Sequence, residues 1–354
     1  MRIRVAPLLG LLLSTMDVRA DDSAALAKAQ SIPYPAVIAH RGASFDAPES
    51  TAAAYLLARE LGADYLELDL QRSRDNVLVV VHDDVLARTS DVASRFPGRA
   101  GRPVSDFTLA ELKALDAGSW FNQAYPQRAR ASFAGQQILT LDEVIDIAEG
   151  NPERQPGLYI ETKVPKQFPG IERQLKARLQ ARGWLDRPGR VILQTFDRDS
   201  LALLHQEMPQ VPKILLLWVG KGSIEPKSGQ DFADSGEQDK ARFYARQAPK
   251  DREELLRWLD AAKAGGAIGT GPSAQRSRLG EQSYTDLIQP WMNQASHARG
   301  LLVHAYTLDD REDFAKAMDA GVDGIFTNRA GALLRFYQRP AVADEGQVLQ
   351  ALGF

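Results

Sequence analysis

The sequence predicts a closed α/β barrel of eight parallel strands, the (α/β)8 or TIM barrel, with a small inserted subdomain after the second strand. Three observations carry that expectation. Short apolar or β-branched runs recur eight times along the 354 residues, helical patterns separate most of them, and one long Gly-, Pro- and Arg-rich stretch, 84–134, interrupts the alternation. Alternating β and α patterns point to a parallel sheet, and eight such strands point to a sheet closed on itself.

The chain opens with Arg2 and Arg4, an apolar run from Val5 to Thr15, and Val18-Arg19-Ala20, which together read as a secretory signal peptide over residues 1–20. The apolar run has 11 residues and Asp21-Asp22 follows at once. A bilayer core takes roughly 20 residues to cross, so no stable membrane anchor is expected. Removal of the leader takes away three Arg and one Asp, which moves the formal charge from −3 to −5. The mature chain is expected in the periplasm, where a protein with a large core does without disulfides.

A polar, helix-prone stretch from Asp22 to Ser31 precedes Pro33 and Pro35, which introduce the first buried run, Ala36–Ala39, ending at His40-Arg41-Gly42. The remaining barrel strands are expected at Tyr65–Leu70, Leu158–Thr162, Val191–Phe196, Lys213–Trp218, Ala267–Thr270, Leu301–Thr307 and Gly324–Thr327. Helical patterns lie at Ser50–Leu61, Leu141–Ala148, Ile171–Arg182, Ser200–Glu207, Arg252–Ala264 and Arg311–Ala320. The barrel should occupy 36–338 and leave 339–354 as a C-terminal tail. Leu66–Gln71 and Val77–Val81 are too close for a crossover helix and should form a hairpin. With Asp75 and Asn76 at its tip, Asp69 would stand opposite His82. The polar stretch Lys221–Gln247 reads as a long loop.

Composition narrows the chemistry. With 43 Lys plus Arg against 46 Asp plus Glu, interspersed, there is no broad basic surface, and nucleic acid is not an expected partner. Without Cys there is no disulfide framework, thiolate nucleophile, zinc ribbon or iron–sulfur cluster. Oxygen and imidazole must do the work.

Barrel enzymes carry their working side chains at the C-terminal ends of the strands. Here those ends offer His40 and Arg41, Glu67 and Asp69, His82 and Asp83 from the hairpin, and Glu161 and Lys163. Glu67 shares a face with Asp69, and Glu161 with Lys163, by the period-two rule. Three carboxylates converging in a barrel mouth repel one another unless protonated or bridged by a cation, and a divalent metal is the simplest resolution. An all-oxygen donor set prefers Ca²⁺ or Mg²⁺. Two imidazoles supply an acid and a base near neutral pH, and Arg41 and Lys163 supply fixed positive charge for a phosphate. Together these groups describe a site for cleaving a phosphodiester without a protein nucleophile. Glu49 either reaches substrate or merely precedes the next helix, with Ser50 as its N-cap. His205 and His297 read as structural or exposed, and His304, two residues before Tyr306 on strand seven, either supports the site from the barrel interior or serves the structure alone.

The ordered set His40-Arg41-Gly42, Ala47-Pro48-Glu49-Ser50-Thr51, Glu67-Leu68-Asp69, His82-Asp83, Glu161-Thr162-Lys163 and Gly321-Val322-Asp323-Gly324-Ile325-Phe326-Thr327 resembles the glycerophosphodiester phosphodiesterases over nearly all of the mature chain. Asp91-Val92-Ala93-Ser94-Arg95-Phe96-Pro97 and Asp106-Phe107-Thr108-Leu109 in the insertion resemble the periplasmic, longer-chain members. The resemblance implies hydrolysis of a small glycerophosphodiester, such as glycerophosphocholine or glycerophosphoethanolamine, to sn-glycerol 3-phosphate and an alcohol. It implies His40 and His82 as acid and base, Glu67, Asp69 and Glu161 as ligands of one Ca²⁺ or Mg²⁺, and Arg41 and Lys163 on the phosphate. It also implies a cyclic phosphate formed by the glycerol 2-hydroxyl, with Phe196, Tyr306 and Trp218 against the glycerol carbons. Many relatives carry Asn where Ser50 stands and Trp where Tyr306 stands, which bears on substrate preference. Two other readings compete: a catalytically idle secreted binding or adhesion protein, which the complete acid–base and ligand set argues against, and a phosphodiesterase for a lysophospholipid or phosphoinositide headgroup, for which no apolar rim or basic patch is evident. A homo-oligomer is compatible with either.

Overall fold

The computed structural model describes residues 20–280, 282–340 and 343–354. The leader expected at 1–20 therefore lies, apart from Ala20, outside the described residues. Among the described residues nine strands form one sheet: β1 (Ala36–Ala39), β2 (Tyr65–Arg72), β3 (Leu78–Val80), β4 (Gly157–Thr162), β5 (Val191–Thr195), β6 (Lys213–Leu217), β7 (Gly269–Pro272), β8 (Leu302–Ala305) and β9 (Gly324–Thr327). All but β3 run parallel in sequence order, and β1 pairs with both β9 (Val37↔Ile325) and β2 (Ile38↔Tyr65), which closes the eight-stranded barrel.

Alternation along the strands builds two cores. Ile38, Tyr65, Tyr159, Ile192, Ile214, Leu302 and Phe326 point inward and fill the barrel, joined by Ala27 and Ile32 from the segment that leads into β1. The residues between them, among them Val37, Leu66, Leu158, Leu193, Val303 and Ile325, pack outward beneath the helices. Burial on both faces is why these strands read as continuous apolar runs. Tyr159 ties the interior together: its ring meets Phe326 at 4.9 Å between centroids, and its hydroxyl hydrogen-bonds His304 Nδ1 at 3.0 Å.

β2 outruns its neighbour β1, and its last three residues pair with β3 on the edge β1 leaves free. The observed register pairs Leu70 with Val80 and Arg72 with Leu78, so Asp69 stands opposite Val81 and not His82. The correction comes from the turn. Asn76 N–H donates to Ser73 O, Ser73 N–H donates to Val77 O, and Asn76 takes φ 63°, which makes a three-residue loop in place of a two-residue tip. An odd loop moves every facing pair by one position.

The insertion packs its own small core, with Leu86, Val92, Val104, Phe107 and Leu112, against Val79 and Val81 of the hairpin. Its Phe121 and Phe133 reach the main core, at an edge-to-face contact of 5.6 Å. Gly118 permits this approach, since a Cβ there would lie 1.8 Å from Phe133 O. The last segment forms a helix, Glu345–Ala351, that buries Leu349 against the core while Arg130 Nη1 donates to Phe354 O.

Several local expectations need correcting. Ser50 does not cap the helix Ala52–Leu61: Thr51 is the N-cap, its hydroxyl donates to Pro48 O, and Ser50 sits at φ 58°. β7 begins two residues later than expected, because the turn ending the helix Arg252–Ala264 takes Gly265 to Ala267 for its closing bonds. β8 is shorter than 301–307, because Leu308 N–H already turns to Phe326 O. The stretch 221–247 contains a helix, Lys240–Ala245, capped by Asp239, and Phe243 and Tyr244 pack there with Phe232. The helix Pro290–His297 was not evident from periodicity, being only eight residues long.

His304 has lost its hydration in the barrel interior and is pushed down to about 4. The unfolded chain, with His near 6.5, takes up the proton first, so stability present at neutral pH is lost as pH falls from about 6.5 towards about 4. At about 1.4 kcal/mol per pKa unit the gap is worth about 3 kcal/mol. Urea unfolding at pH 7 and pH 4 should show His304→Gln losing about that much less than the parent on acidification.

Candidate active site

The C-terminal ends of the strands enclose a cavity of about 360 Å³ whose lining includes His40, Arg41, Glu67, Asp69, His82, Glu161, Lys163, Phe196 and Tyr306. β1 delivers His40, and the turn after it is tight: Arg41 sits at φ 57°, and a Cβ on Gly42 would lie 2.6 Å from the Ala54 carbonyl carbon. That turn aims Arg41 N–H at Glu67 Oε2, 2.8 Å away. β2 carries Glu67 and Asp69 inward, and β4, in register with it at Asp69↔Glu161, brings the third carboxylate alongside. Lys163 lies one residue past β4, with its N–H on Leu70 O.

His82 reaches the cavity despite the shifted hairpin register. β3 ends at Val80, and the buried side-chain amide of Gln71 donates to Val81 O (2.9 Å) and Asp83 O (2.8 Å). This clamp bends the chain out of the ladder and returns the imidazole to the barrel mouth. Alternation alone predicts the opposite face for a residue at that register.

Glu67, Asp69 and Glu161 each offer an oxygen within 4.8 Å of the other two, and all three are buried. Lys163 Nζ lies 3.2 Å from Glu161 and 3.5 Å from Asp69, and Arg41 Nε lies 3.6 Å from Asp69. Burial, then the neighbouring Asp69, pushes Glu67 well above the carboxylate range. Burial raises Glu161 to about 7 against the pull of Lys163. Burial also opposes ionisation of Asp69, but Lys163, His82 and Arg41 together hold it below the usual range. Asp69 Oδ2 is buried without a hydrogen-bond partner. Three converging carboxylates, two of them strained toward protonation and one with an orphaned oxygen, form a cradle that fits a divalent cation, and the hard oxygen donors suit Ca²⁺ or Mg²⁺.

The two imidazoles have different partners. Asn328 donates from its amide nitrogen to Asp309 Oδ2 (2.8 Å) and Gln282 Oε1 (2.6 Å), so its Oδ1 is the atom that accepts from His40 Nδ1 at 2.7 Å. The network assigns the proton to Nδ1 and leaves Nε2 bare. Burial and then Arg41 push His40 down to about 3, which keeps it neutral. His82 Nδ1 instead bonds the Asp83 carboxylate at 2.6 Å. Burial, Arg41 and Lys163 lower His82, while Asp69 and Asp83 pull the other way.

Glu49 does not line the cavity: its carboxylate accepts from Arg41 Nη1 at 2.9 Å and from Arg88 at 2.7 and 2.9 Å. His304 lies beneath the cavity against Tyr159, His297 pairs with Asp323 on the outer face, and His205 packs over Gly266. Sequence reasoning missed Gln194, which donates to Glu67 Oε1 at 3.1 Å, and Asn328. Both were open to the rules already used: Gln194 shares a face with Phe196, and Asn328 directly follows β9. Arg88 and the cavity-lining Gln282 and Tyr284 lie in loops that carry no periodic signal, and Gln71, on β2, acts on the bend that follows β3.

Residues 40–332 match the family model described as the glycerophosphoryl diester phosphodiesterase family. The chain is 35% identical over 294 residues, 82% of each sequence, to a glycerophosphodiester phosphodiesterase of Bacillus subtilis (strain 168). It is 30% identical to the glycerophosphodiester phosphodiesterase of Caldanaerobacter subterraneus subsp. tengcongensis, over 86% of this chain and 98% of that one. Among solved structures, an Oleispira antarctica phosphodiesterase in complex with the product sn-glycerol-3-phosphate superposes with a TM-score of 0.60 at 23% identity, covering 86% of this chain and 97% of the other.

The tautomer assignment has a direct readout. Nitrogen-15 correlation spectra at neutral pH should show His40 protonated at Nδ1 and bare at Nε2, and Asn328→Leu should abolish that preference while the fold persists.

Proposed function

The chain belongs to the glycerophosphoryl diester phosphodiesterase family and is an enzyme of that class, and on that premise we propose that it hydrolyses small glycerophosphodiesters, such as glycerophosphocholine and glycerophosphoethanolamine, to sn-glycerol 3-phosphate and an alcohol. The single observation that carries the reading is the buried triad of Glu67, Asp69 and Glu161 on the cavity floor, with His40, His82, Arg41 and Lys163 around it. Glu67, Asp69 and Glu161 would hold one Ca²⁺ or Mg²⁺, which when bound supplies Lewis-acid neutralisation of phosphate charge.

The residues of the chain then divide the work. Arg41 and Lys163 draw the phosphate to the cavity floor and offset charge on its non-bridging oxygens. His40, neutral with Nε2 bare, takes the proton of the glycerol 2-hydroxyl as that oxygen bonds phosphorus. His82, paired through Nδ1 with the anionic Asp83, gives its Nε2 proton to the departing alcohol oxygen as the old P–O bond breaks. In the second half water opens the cyclic phosphate, His82 takes a proton from that water, and His40 returns its proton to the 2-oxygen. The amide partner of one imidazole and the carboxylate partner of the other support this assignment of base and acid. An internal hydroxyl has an effective concentration no external nucleophile matches, which favours this route. Phe196 and Tyr306, edge to face at 6.0 Å, would pack against the glycerol carbons.

The leader-like sequence at residues 1–20 supports export to the periplasm. Among the described residues no helix is long and apolar enough to cross a membrane.

The purified enzyme should lose turnover of glycerophosphocholine in EDTA and regain it with Ca²⁺ or Mg²⁺. Calorimetry should show one divalent site in the parent that Glu161→Gln weakens at least about tenfold. Activity untouched by exhaustive chelation removes the metal from the mechanism. An analogue lacking the glycerol 2-hydroxyl should be cleaved at least about 10³-fold more slowly, and phosphorus NMR of the normal reaction should detect the cyclic ester.

A further inference from the structure

Arg88 lies six residues beyond His82, inside the inserted subdomain, and is not part of the cavity wall. Its guanidinium is shared between two carboxylates. Nε and Nη2 donate to Asp83 Oδ2 and Oδ1 at 2.6 and 3.0 Å, while Nη1 and Nη2 donate to Glu49 Oε2 and Oε1 at 2.9 and 2.7 Å. Each end of this clamp continues inward. Glu49 Oε1 accepts from Arg41 Nη1, whose Nε faces the buried oxygen of Asp69, and Asp83 Oδ1 meets His82 Nδ1 at 2.6 Å. Opposite charges alternate without a break from Asp69 through Arg41, Glu49 and Arg88 to Asp83, whose carboxylate meets the His82 imidazole.

Several features set this apart from an ordinary surface pair. Fork-to-fork geometry on both carboxylates orients them as well as attracting them. The Glu49 side chain is only 11% exposed and is held from both ends. The guanidinium also rests over the Trp120 ring at 5.8 Å, and Trp120 belongs to a helix, Ser119–Ala124, anchored in the main core through Phe121. Asp83 and His82, by contrast, lie past the end of β3. The Gln71 clamp places their backbone, and among the described residues Arg88 is the side chain besides His82 itself that bonds the Asp83 carboxylate.

We propose that Arg88 is a positioning residue that holds Asp83 against His82 Nδ1, so that the inserted subdomain sets the aim of the proton donor. The proposal rests on the reading of His82 as the general acid. An acid is needed only when the departing oxygen is strongly basic. Choline leaves as an alkoxide that must be protonated; 4-nitrophenolate leaves without a proton.

The test compares glycerophosphocholine with sn-glycerol 3-(4-nitrophenyl phosphate) as substrates for the parent, His82→Ala, Arg88→Ala, Arg88→Lys and the His82→Ala/Arg88→Ala double variant, each with a thermal melt. Expected, in the single-turnover rate of alcohol release with enzyme in excess, which reads the first half of the reaction apart from the later step in which His82 acts on water, is a fall on glycerophosphocholine of at least about 10²-fold for His82→Ala and about 10- to 100-fold for Arg88→Ala, with less than about fivefold for either on the nitrophenyl ester. Arg88→Lys, which keeps the charge but not the fork, should fall between parent and Arg88→Ala, and the double variant should be no slower than His82→Ala. Equal losses of Arg88→Ala and Arg88→Lys on both esters would make Arg88 merely structural and overturn the proposal, as would full activity on both. If His82→Ala itself shows no dependence on the leaving group, the acid assignment falls, which is a separable result.

Discussion

Mutual repulsion among Glu67, Asp69 and Glu161 is the constraint on which the rest of this molecule turns. Each is removed from water and each has an oxygen within 4.8 Å of the others, an arrangement that costs stability unless the charges are compensated. Arg41 and Lys163 balance part of the charge from the rim. On the proposed function a divalent cation would balance what remains and, when bound, would offset charge on the phosphate. On that proposal the electrostatic cost of folding the site would be turned into affinity for a cation and an anion bound together.

Holding that repulsion requires rigid supports, and the barrel supplies them. Parallel ladders place Asp69 directly beside Glu161, and inward-facing Tyr65, Tyr159, Ile192 and Phe326 fill the space beneath, so the carboxylates cannot retreat into the interior. Gln194 on β5 binds Glu67 from the side opposite Arg41 N–H, leaving its carboxylate little freedom. The polar layer and the apolar layer are therefore one construction: the second makes the first dry, and dryness gives each charge its strength.

Around this floor the two imidazoles are held by unlike means. His40 is braced by Asn328, itself fastened to Asp309, which also accepts from the Thr327 hydroxyl and the Asn328 backbone N–H and pairs with Arg276. His82 is braced by Asp83 and, through it, by a subdomain that no minimal barrel contains. On the proposed mechanism the neutral amide and the anionic carboxylate would prepare the rings for opposite directions of proton transfer. A symmetrical pair of partners would give no such bias.

Much of this was legible in the residues alone. Period-two spacing placed Glu67 with Asp69, strand ends marked His40, Arg41, Glu161 and Lys163, and eight apolar runs announced the barrel, because alternation and burial are local properties that a linear chain records. Tertiary structure alone decided the rest. The three-residue turn at Arg74 to Asn76 moved the hairpin register by one, and only the Gln71 amide, reaching across to Val81 and Asp83, brought His82 back to the mouth. Glu49 turned from a substrate candidate into a strut because Arg88, 39 positions away, claimed it. Sequence patterning records which face a side chain presents; it does not record which distant donor will satisfy a carboxylate, since that is settled by three-dimensional proximity after the chain has closed.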